Sequence, residues 1–456
     1  MDSNIQNFAE MSLKEALRDL TPDGVTNGAV VVIENSTGKI RAMVGSGDFF
    51  STENSGQING ALRRRCPGST LKPFTYALAF EEGLYTPNMI LADVPVQYDG
   101  YAPLDFDKEF RGPVMVRDAL VDSLNVPAVE VLNRLGYRKL YLFLKEAGIS
   151  TLRKMPEYYG LALTLGSGEV NLLELTNAYA ALARQGIYKP YRFLEADQKG
   201  DDTAKRILSE AAAYLVSDIL SDTKRLEAVG IYRDSRVYPR IVWKTGTSYG
   251  HKDAWTVCYN PEYTVGVWLG NFSARPAKVL VGVDVAAPLA FKIFDSLYVK
   301  KPAPWYTAPD TIGERRVCAI SGEPVGDHCP QGLKDLFIKS CGIVRPCGVH
   351  RKIEVDNETG LALDESFSKE RVHTEKVFEI WPDALQSWIR VHKAEYVVPP
   401  GYLALNKKAG DFERNKPKIL SPSHGCEYFI AQTQNDAAKL ALLATASFDS
   451  DRLFWF

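Results

Sequence analysis

Two strongly β-forming stretches separated by a long helical interval constrain the fold more than any other feature. Residues 28–48 read as a hairpin: Ala29-Val30-Val31-Val32-Ile33, the turn-prone Asn35-Ser36-Thr37-Gly38, then Ile40-Arg41-Ala42-Met43-Val44. Far downstream, Arg240-Ile241-Val242-Trp243-Lys244 begins a strand, and Ala254–Tyr259 and Tyr263–Leu269 form two more around the turn Asn260-Pro261-Glu262. Between them the pattern is mainly helical, with segments at Pro73–Gly83, Val116–Leu124, Val126–Leu135, Leu172–Arg184 and Ser209–Leu220. Strands at both ends with helices inserted predict an α+β domain in which sequence-distant strands share one sheet.

The chain has 456 residues, room for more than one domain at roughly 100–200 residues each. Its 54 basic and 56 acidic side chains give a net charge of −2, so there is no global basic field for nucleic acid or an anionic membrane surface. No stretch approaches the ~18 apolar residues of a bilayer span. Met1–Leu20 carries Phe8, Met11, Ala16, Leu17 and Leu20 at helix-like spacing and reads as an amphipathic helix lying on a domain. The expected organisation is an N-terminal segment at 1–27, a main domain at 28–302, a cysteine-bearing linker region at 303–418 bounded by Lys300-Lys301-Pro302-Ala303-Pro304, and an incomplete sandwich at 419–456. Within the third part, Pro382–Tyr402 reads as irregular.

Ser-x-x-Lys occurs four times, at Ser36/Lys39, Ser69/Lys72, Ser221/Lys224 and Ser366/Lys369, so context must decide. Ser36 falls in the hairpin turn, and Ser221 and Ser366 lie in polar, charged surroundings that read as solvated surface. Ser69 instead opens the helical run Thr70–Phe80, with Lys72 one turn later on the same face. A serine hydroxyl needs a neighbouring base, and a lysine whose pKa is lowered serves. On this pair alone, an N-cap serine with an exposed lysine fits equally well. Ser123-Leu124-Asn125 is the only Ser-x-Asn and sits between two helices, and Lys244-Thr245-Gly246 is the only Lys-Thr-Gly and closes a strand. In that order the three match the motifs of penicillin-binding proteins and class A β-lactamases, with Leu124 at the middle position. A rival nucleophile elbow, Gly246-Thr247-Ser248-Tyr249-Gly250 beside His251, is followed by a strand where an elbow needs a helix.

The chain resembles the transpeptidase region of class A penicillin-binding proteins, with most likeness to the penicillin-binding protein 1C subgroup. The resemblance rests on Gly28–Gly47, Arg65-Cys66-Pro67-Gly68-Ser69-Thr70-Leu71-Lys72-Pro73-Phe74, Tyr159–Ala180 and Asp253–Asn271. The subgroup rests on Cys318-Ala319-Ile320-Ser321-Gly322, Cys329-Pro330, the Cys347–His350 stretch and Leu420-Ser421-Pro422. It implies a penicillin-binding, serine-transpeptidase fold: an antiparallel sheet flanked by helices. It also implies that Ser69 is acylated, Lys72 accepts its proton, Ser123 relays a proton to the leaving amine and Lys244 polarises the cluster. Asn125 would hold the substrate amide, Thr245, Gly246 and Thr247 would line the site of the substrate carboxylate, and the N–H groups of Ser69 and Thr247 would form the oxyanion hole. The implied substrates are D-Ala-D-Ala stem peptides of peptidoglycan, with β-lactams as covalent inhibitors. No cofactor and no metal ligand is called for, and the acyl acceptor is an amine, or water in a D,D-carboxypeptidase. A non-catalytic cell-wall-binding module is the alternative outside enzymology.

The resemblance further implies an extracytoplasmic location and a C-terminal region that docks other cell-wall synthesis proteins. Family members also carry a membrane helix and a glycosyltransferase domain, which this sequence does not show. Asp105 stands where many relatives have Asn. Cys318, Cys329, Cys341 and Cys347 crowd together, with His328 and His350 beside them; disulfides or a metal clip both fit. The spacings lack a paired Cys-x₂₋₄-Cys signature, and the implied location favours disulfides.

Overall fold

The computed structural model describes residues 1–98, 100–193, 204–229, 240–299, 301–342, 345–363, 371–401, 418–421 and 443–445. In chain order, helix α1 (Ser3–Leu20) leads to β1 (Asn27–Glu34) and β2 (Ile40–Val44). Next come α2 (Lys72–Glu81), the hairpin β3 (Ile90–Asp93) and β4 (Gly112–Met115), and helices α3 (Val116–Val121), α4 (Asn125–Leu135), α5 (Tyr137–Glu146), α6 (Pro156–Tyr159) and α7 (Leu172–Ala183). Short strands β5 (Ile187–Tyr188) and β6 (Lys205–Arg206) precede α8 (Glu210–Leu220). The segment then returns to strands β7 (Val242–Thr247), β8 (Asp253–Tyr259) and β9 (Tyr263–Gly270), followed by α9 (Ala287–Ser296).

The main sheet is antiparallel in the order β2-β1-β9-β8-β7, so strands from both ends of the sequence pair directly. Register Val31↔Gly266 and Val30↔Val267 turns alternate residues of β1 to opposite faces. Val31 and Ile33 enter one buried core with α2, α7 and α8, while Val30 and Val32 enter a second with α1 and α9. Both faces of β1 are therefore covered, which explains its unbroken apolar run. Asp2 caps α1 by accepting from Asn4 N at 3.0 Å, and Ala9, Leu13 and Leu17 form its buried stripe. Gln6 exchanges hydrogen bonds with the backbone of Met43 at 2.9 and 3.2 Å and so shields the β2 edge.

Beyond residue 302 the chain is not a bare linker. Tyr306 donates to Ala183 O at 3.0 Å. Hairpins β10 (Ile312–Cys318)/β11 (Gly332–Ile338) and β12 (His350–Asp356)/β13 (His373–Glu379) form separate sheets. The first docks on the helical side of the main domain, where Asn88 donates from N to Asp335 Oδ1 and from Nδ2 to Lys334 O, at 3.1 and 2.9 Å. Helix α10 (Asp383–His392) occupies part of the stretch expected to be irregular. Its buried Leu385 and Ile389 lie four residues apart and pack with Val94, Val349 and Trp381, so a short apolar stripe wins over polar surroundings. Strands β14 (Lys418–Ser421) and β15 (Leu443–Thr445) pair antiparallel. Otherwise the expected sandwich, and the docking region assigned to it, lie outside the described residues.

The disulfides that the implied location favours are not formed. Cys318, Cys329, Cys341 and Cys347 are free thiols. Three of them converge with His350, whereas Cys341 lies apart against Phe80 O at 3.7 Å. Ser221, expected as a solvated turn or surface residue, does lie in a turn but is buried, and its hydroxyl donates to Asp218 O at 3.0 Å. Ser366 lies outside the described residues. Among the described residues no helix is long and apolar enough to cross a membrane.

Candidate active site

The Ser69 segment is a 3₁₀ turn, Gly68–Leu71, that runs into α2 at Lys72. The turn is fastened from below: Tyr179 OH donates to Thr70 O at 2.5 Å and Trp255 Nε1 to Cys66 O at 2.9 Å. Gly68 has φ +54°, and a Cβ there would lie 2.5 Å from Thr247 O. A Cβ on Gly246 would lie 2.2 Å from Pro67 O. The nucleophile turn and the Lys-Thr-Gly strand therefore touch backbone to backbone, which only glycine permits. β7 is the open edge of the sheet. Ser248 N donates inward to Asp253 O at 3.0 Å, so ladder alternation turns the N–H groups of Thr245 and Thr247 outward, toward that turn.

Ser123 and Asn125 come from the bend between α3 and α4. Ser123 has φ +61°, a left-handed conformation held by its surroundings at a cost of about 1–3 kcal/mol. Its hydroxyl lies between the two lysines: Lys244 Nζ donates to it at 2.8 Å and Lys72 Nζ at 3.4 Å. Lys72 Nζ also donates to Ser123 O and to Asn125 Oδ1 at 2.7 Å. Among the described residues no hydrogen bond joins Lys72 Nζ to the Ser69 hydroxyl, which is half-buried at the turn. Catalytic hydrogen bonds often tighten only once substrate is bound.

Both lysines are fully enclosed. Burial pushes Lys72 down from the ordinary lysine value to about 7, against a smaller opposing pull from Asp105. Burial also drives Lys244 well below its ordinary value, reinforced by Lys72 and by Arg225. Arg225 was not legible as part of the site, because Ser221-Asp222-Thr223-Lys224-Arg225 reads as solvated surface. In the fold its guanidinium stacks 4.1 Å from the Trp243 ring and donates to Trp243 O at 3.1 Å. Asp105 gains a defined role: its Oδ1 accepts from Asn125 N and from Val126 N at 3.2 Å, capping α4 from a distant loop. Asn125 Nδ2 donates to Leu104 O at 2.7 Å, so that loop and the Ser123 bend move as one.

Thr247 Oγ1 accepts from Gly282 N at 3.0 Å, which leaves the hydroxyl proton directed elsewhere. Thr245 and Thr247 are half-buried, while Gly246 is enclosed by the turn. Ser248, the elbow candidate, is buried, and its Oγ accepts from Asp253 N at 2.9 Å within a tight turn. His251 stands in that turn at φ +53°, its ring 5.8 Å from Phe106 on the opposite rim. The structure thus brings Ser69, Lys72, Ser123, Asn125, Lys244, Thr245, Gly246 and Thr247 together and leaves the elbow serine, Ser248, buried in the neighbouring turn.

Comparison with known proteins fits this arrangement. The penicillin-binding protein transpeptidase domain matches residues 28–288. Penicillin-binding protein 1C of Escherichia coli is 30% identical over 390 residues, covering 82% of this chain and 49% of that protein. Penicillin-binding protein 1F of Bacillus subtilis is 32% identical over 287 residues, covering 59% and 38%. Among solved structures, penicillin-binding protein 1A from Haemophilus influenzae superimposes with a TM-score of 0.59 at 22% identity, over 70% of this chain and 54% of that one. PonA1 from Mycobacterium tuberculosis in complex with penicillin V does so with a TM-score of 0.55 at 22% identity, over 68% and 88%. The chain spans about half the length or less of the curated relatives it matches. With more than half of its residues matched by that domain and the three motifs gathered in one cleft, the chain belongs to the penicillin-binding protein transpeptidase family.

Proposed function

We propose that this cleft carries out peptidoglycan D,D-transpeptidation through a serine acyl-enzyme, in an extracytoplasmic setting, and that β-lactams acylate the same serine. Ser69 Oγ attacks the carbonyl carbon of the penultimate D-Ala of a stem peptide, and its proton passes to the neutral amine of Lys72. The C–N bond to the terminal D-Ala breaks as Ser123, held by Lys244, returns a proton to the departing nitrogen. Lys72 restores the proton of Ser123, and an acceptor amine then attacks the ester carbonyl; the C–O bond to Ser69 breaks as the amine's proton passes through the same groups to Ser69 Oγ. The outward N–H of Thr247, together with that of Ser69, faces the developing oxyanion. The hydroxyls of Thr245 and Thr247 bind the substrate carboxylate, and the Asn125 side chain holds a peptide amide.

The observation that carries this reading is one serine hydroxyl, Ser123 Oγ, within 2.8 Å of Lys244 Nζ and 3.4 Å of Lys72 Nζ, both lysines buried. Burial, reinforced at Lys244 by the charge of Lys72, keeps an amine neutral near neutral pH, as a general base requires. The test is acylation by a fluorescent penicillin, read as a covalent adduct in intact-protein mass spectra. The native chain takes up one adduct and Ser69→Ala none; an adduct persisting in Ser69→Ala overturns the assignment.

A further inference from the structure

Outside the cleft, Cys318, Cys329, Cys347 and His350 gather at the junction of the two C-terminal hairpins. Cys318 ends β10, Cys329 lies in the turn before β11, and His350 begins β12 three residues after Cys347. Their four ligand atoms lie within 4.8 Å of one another, and Cys318 Sγ and Cys347 Sγ are each 3.5 Å from His350 Nδ1. Zinc bond lengths of about 2.3 Å to sulfur and about 2.0–2.1 Å to nitrogen put tetrahedral edges at about 3.8 Å between sulfurs and about 3.6 Å between sulfur and nitrogen. Disulfide sulfurs would instead sit at about 2.05 Å. We propose that these four side chains form a closed structural zinc site that ties the β10/β11 hairpin to the start of β12.

The surroundings are those of a thiolate site. Ile320 N donates to Cys318 Sγ and Gly326 N to Cys329 Sγ, each at 3.4 Å, and Ser321 Oγ donates to Cys347 Sγ at 3.1 Å. Donors aimed at sulfur stabilise negative charge there and fix the orientation of the ligand. The Cys347 loop is held independently, since Glu323 accepts from Gly348 N at 2.8 Å and Cys347 N donates to Pro324 O at 2.8 Å. Cys318 and His350 are buried and Cys329 and Cys347 half-buried, so four protein ligands enclose the position and none is left for substrate. Three cysteine sulfurs and an imidazole nitrogen within 4.8 Å of one another form a donor set that favours zinc over the hard oxygen-seeking cations. The site also answers a packing problem. β10/β11 rests on the main core through Ile338 but shares no sheet with β12/β13, whose own apolar clusters are small, so a metal cross-link supplies order there that the local core does not.

The test is elemental analysis of the chain purified without a polyhistidine tag, followed by replacement of the bound metal with Co²⁺. One zinc per chain, thiolate-to-cobalt charge-transfer bands and the intense visible bands of tetrahedral cobalt support the site. Cys318→Ser and Cys347→Ser lose the metal to background, while Cys341→Ser, which alters a cysteine outside the cluster, retains it. Thiol titration of the native chain gives a readout independent of any variant: three thiols become reactive only after a strong chelator is added. A chain free of metal, disulfides among these cysteines, or equal metal in Cys318→Ser and Cys341→Ser overturns the proposal.

Discussion

Lys72 and Lys244 are buried between large apolar cores, with no cross-link among them, and their amines are held apart by one serine hydroxyl. The Cys318, Cys329, Cys347 and His350 cluster sits where β10/β11 meets the start of β12, beside apolar clusters of only a few residues. In the first region, packing forces polar groups into an environment that changes their chemistry. In the second, polar groups with a ligand between them stand in for packing. The comparison teaches that a buried polar cluster can be held by a surrounding core, which then tunes its pKa values, or by an ion that its own groups bind.

The largest effect that sharpens this contrast is expected at Lys72. Lys72→Ala lowers the penicillin acylation rate by about 10²–10⁴-fold, the usual loss for a positioned proton-transfer group. Since burial places Lys72 near 7, the amine is protonated and idle below that pH and neutral above it. The native acylation rate therefore rises with pH through about 7, and stopped-flow acylation across that range checks it. A flat profile would break the claim that burial tunes the cleft.

A smaller effect is expected at Gly68. Gly68→Ala places a Cβ 2.5 Å from Thr247 O at φ +54°, and urea unfolding should show a loss of about 1–3 kcal/mol. Because the clash also pushes the Ser69 turn off β7, acylation slows in the same variant. The smallest change is expected from Asp105→Asn, which keeps the oxygen that caps α4 but removes the charge that holds Lys72 up. Lys72 then deprotonates more readily, so the rising limb of the acylation profile moves to lower pH with little change in melting temperature. A limb that does not move would show that the cleft is insulated from that loop.

Much of the cleft was legible because its signals are local. Ser69 and Lys72 share a helical turn, Ser123 and Asn125 share a bend, and Lys244, Thr245 and Thr247 share a strand end, each with a recognisable residue pattern. Arg225 and the capping role of Asp105 were not legible, because each acts across a long sequence separation on a group that no short pattern names. The cysteine cluster was misread for the same reason. Its ligands come from two strand ends and the loops between them, and Cys347 and His350 form a Cys-x₂-His pair where a Cys-x₂₋₄-Cys pair was sought. Helix α10 was missed because its buried apolar residues are only Leu385 and Ile389, with the polar Gln386 buried beside them.

The sequence by itself determined the main-domain strands and helices around the three motifs and the sharing of one sheet by distant strands, since hydrophobic period and turn chemistry act over a few residues. Only the tertiary structure decided that β1 pairs with β9 while β7 is left as the edge facing Ser69, that two lysines point at one hydroxyl, and that three cysteines meet a histidine. Burial and convergence are sums over many residues far apart in the chain, and they set the pKa of Lys72 and the spacing of the thiols.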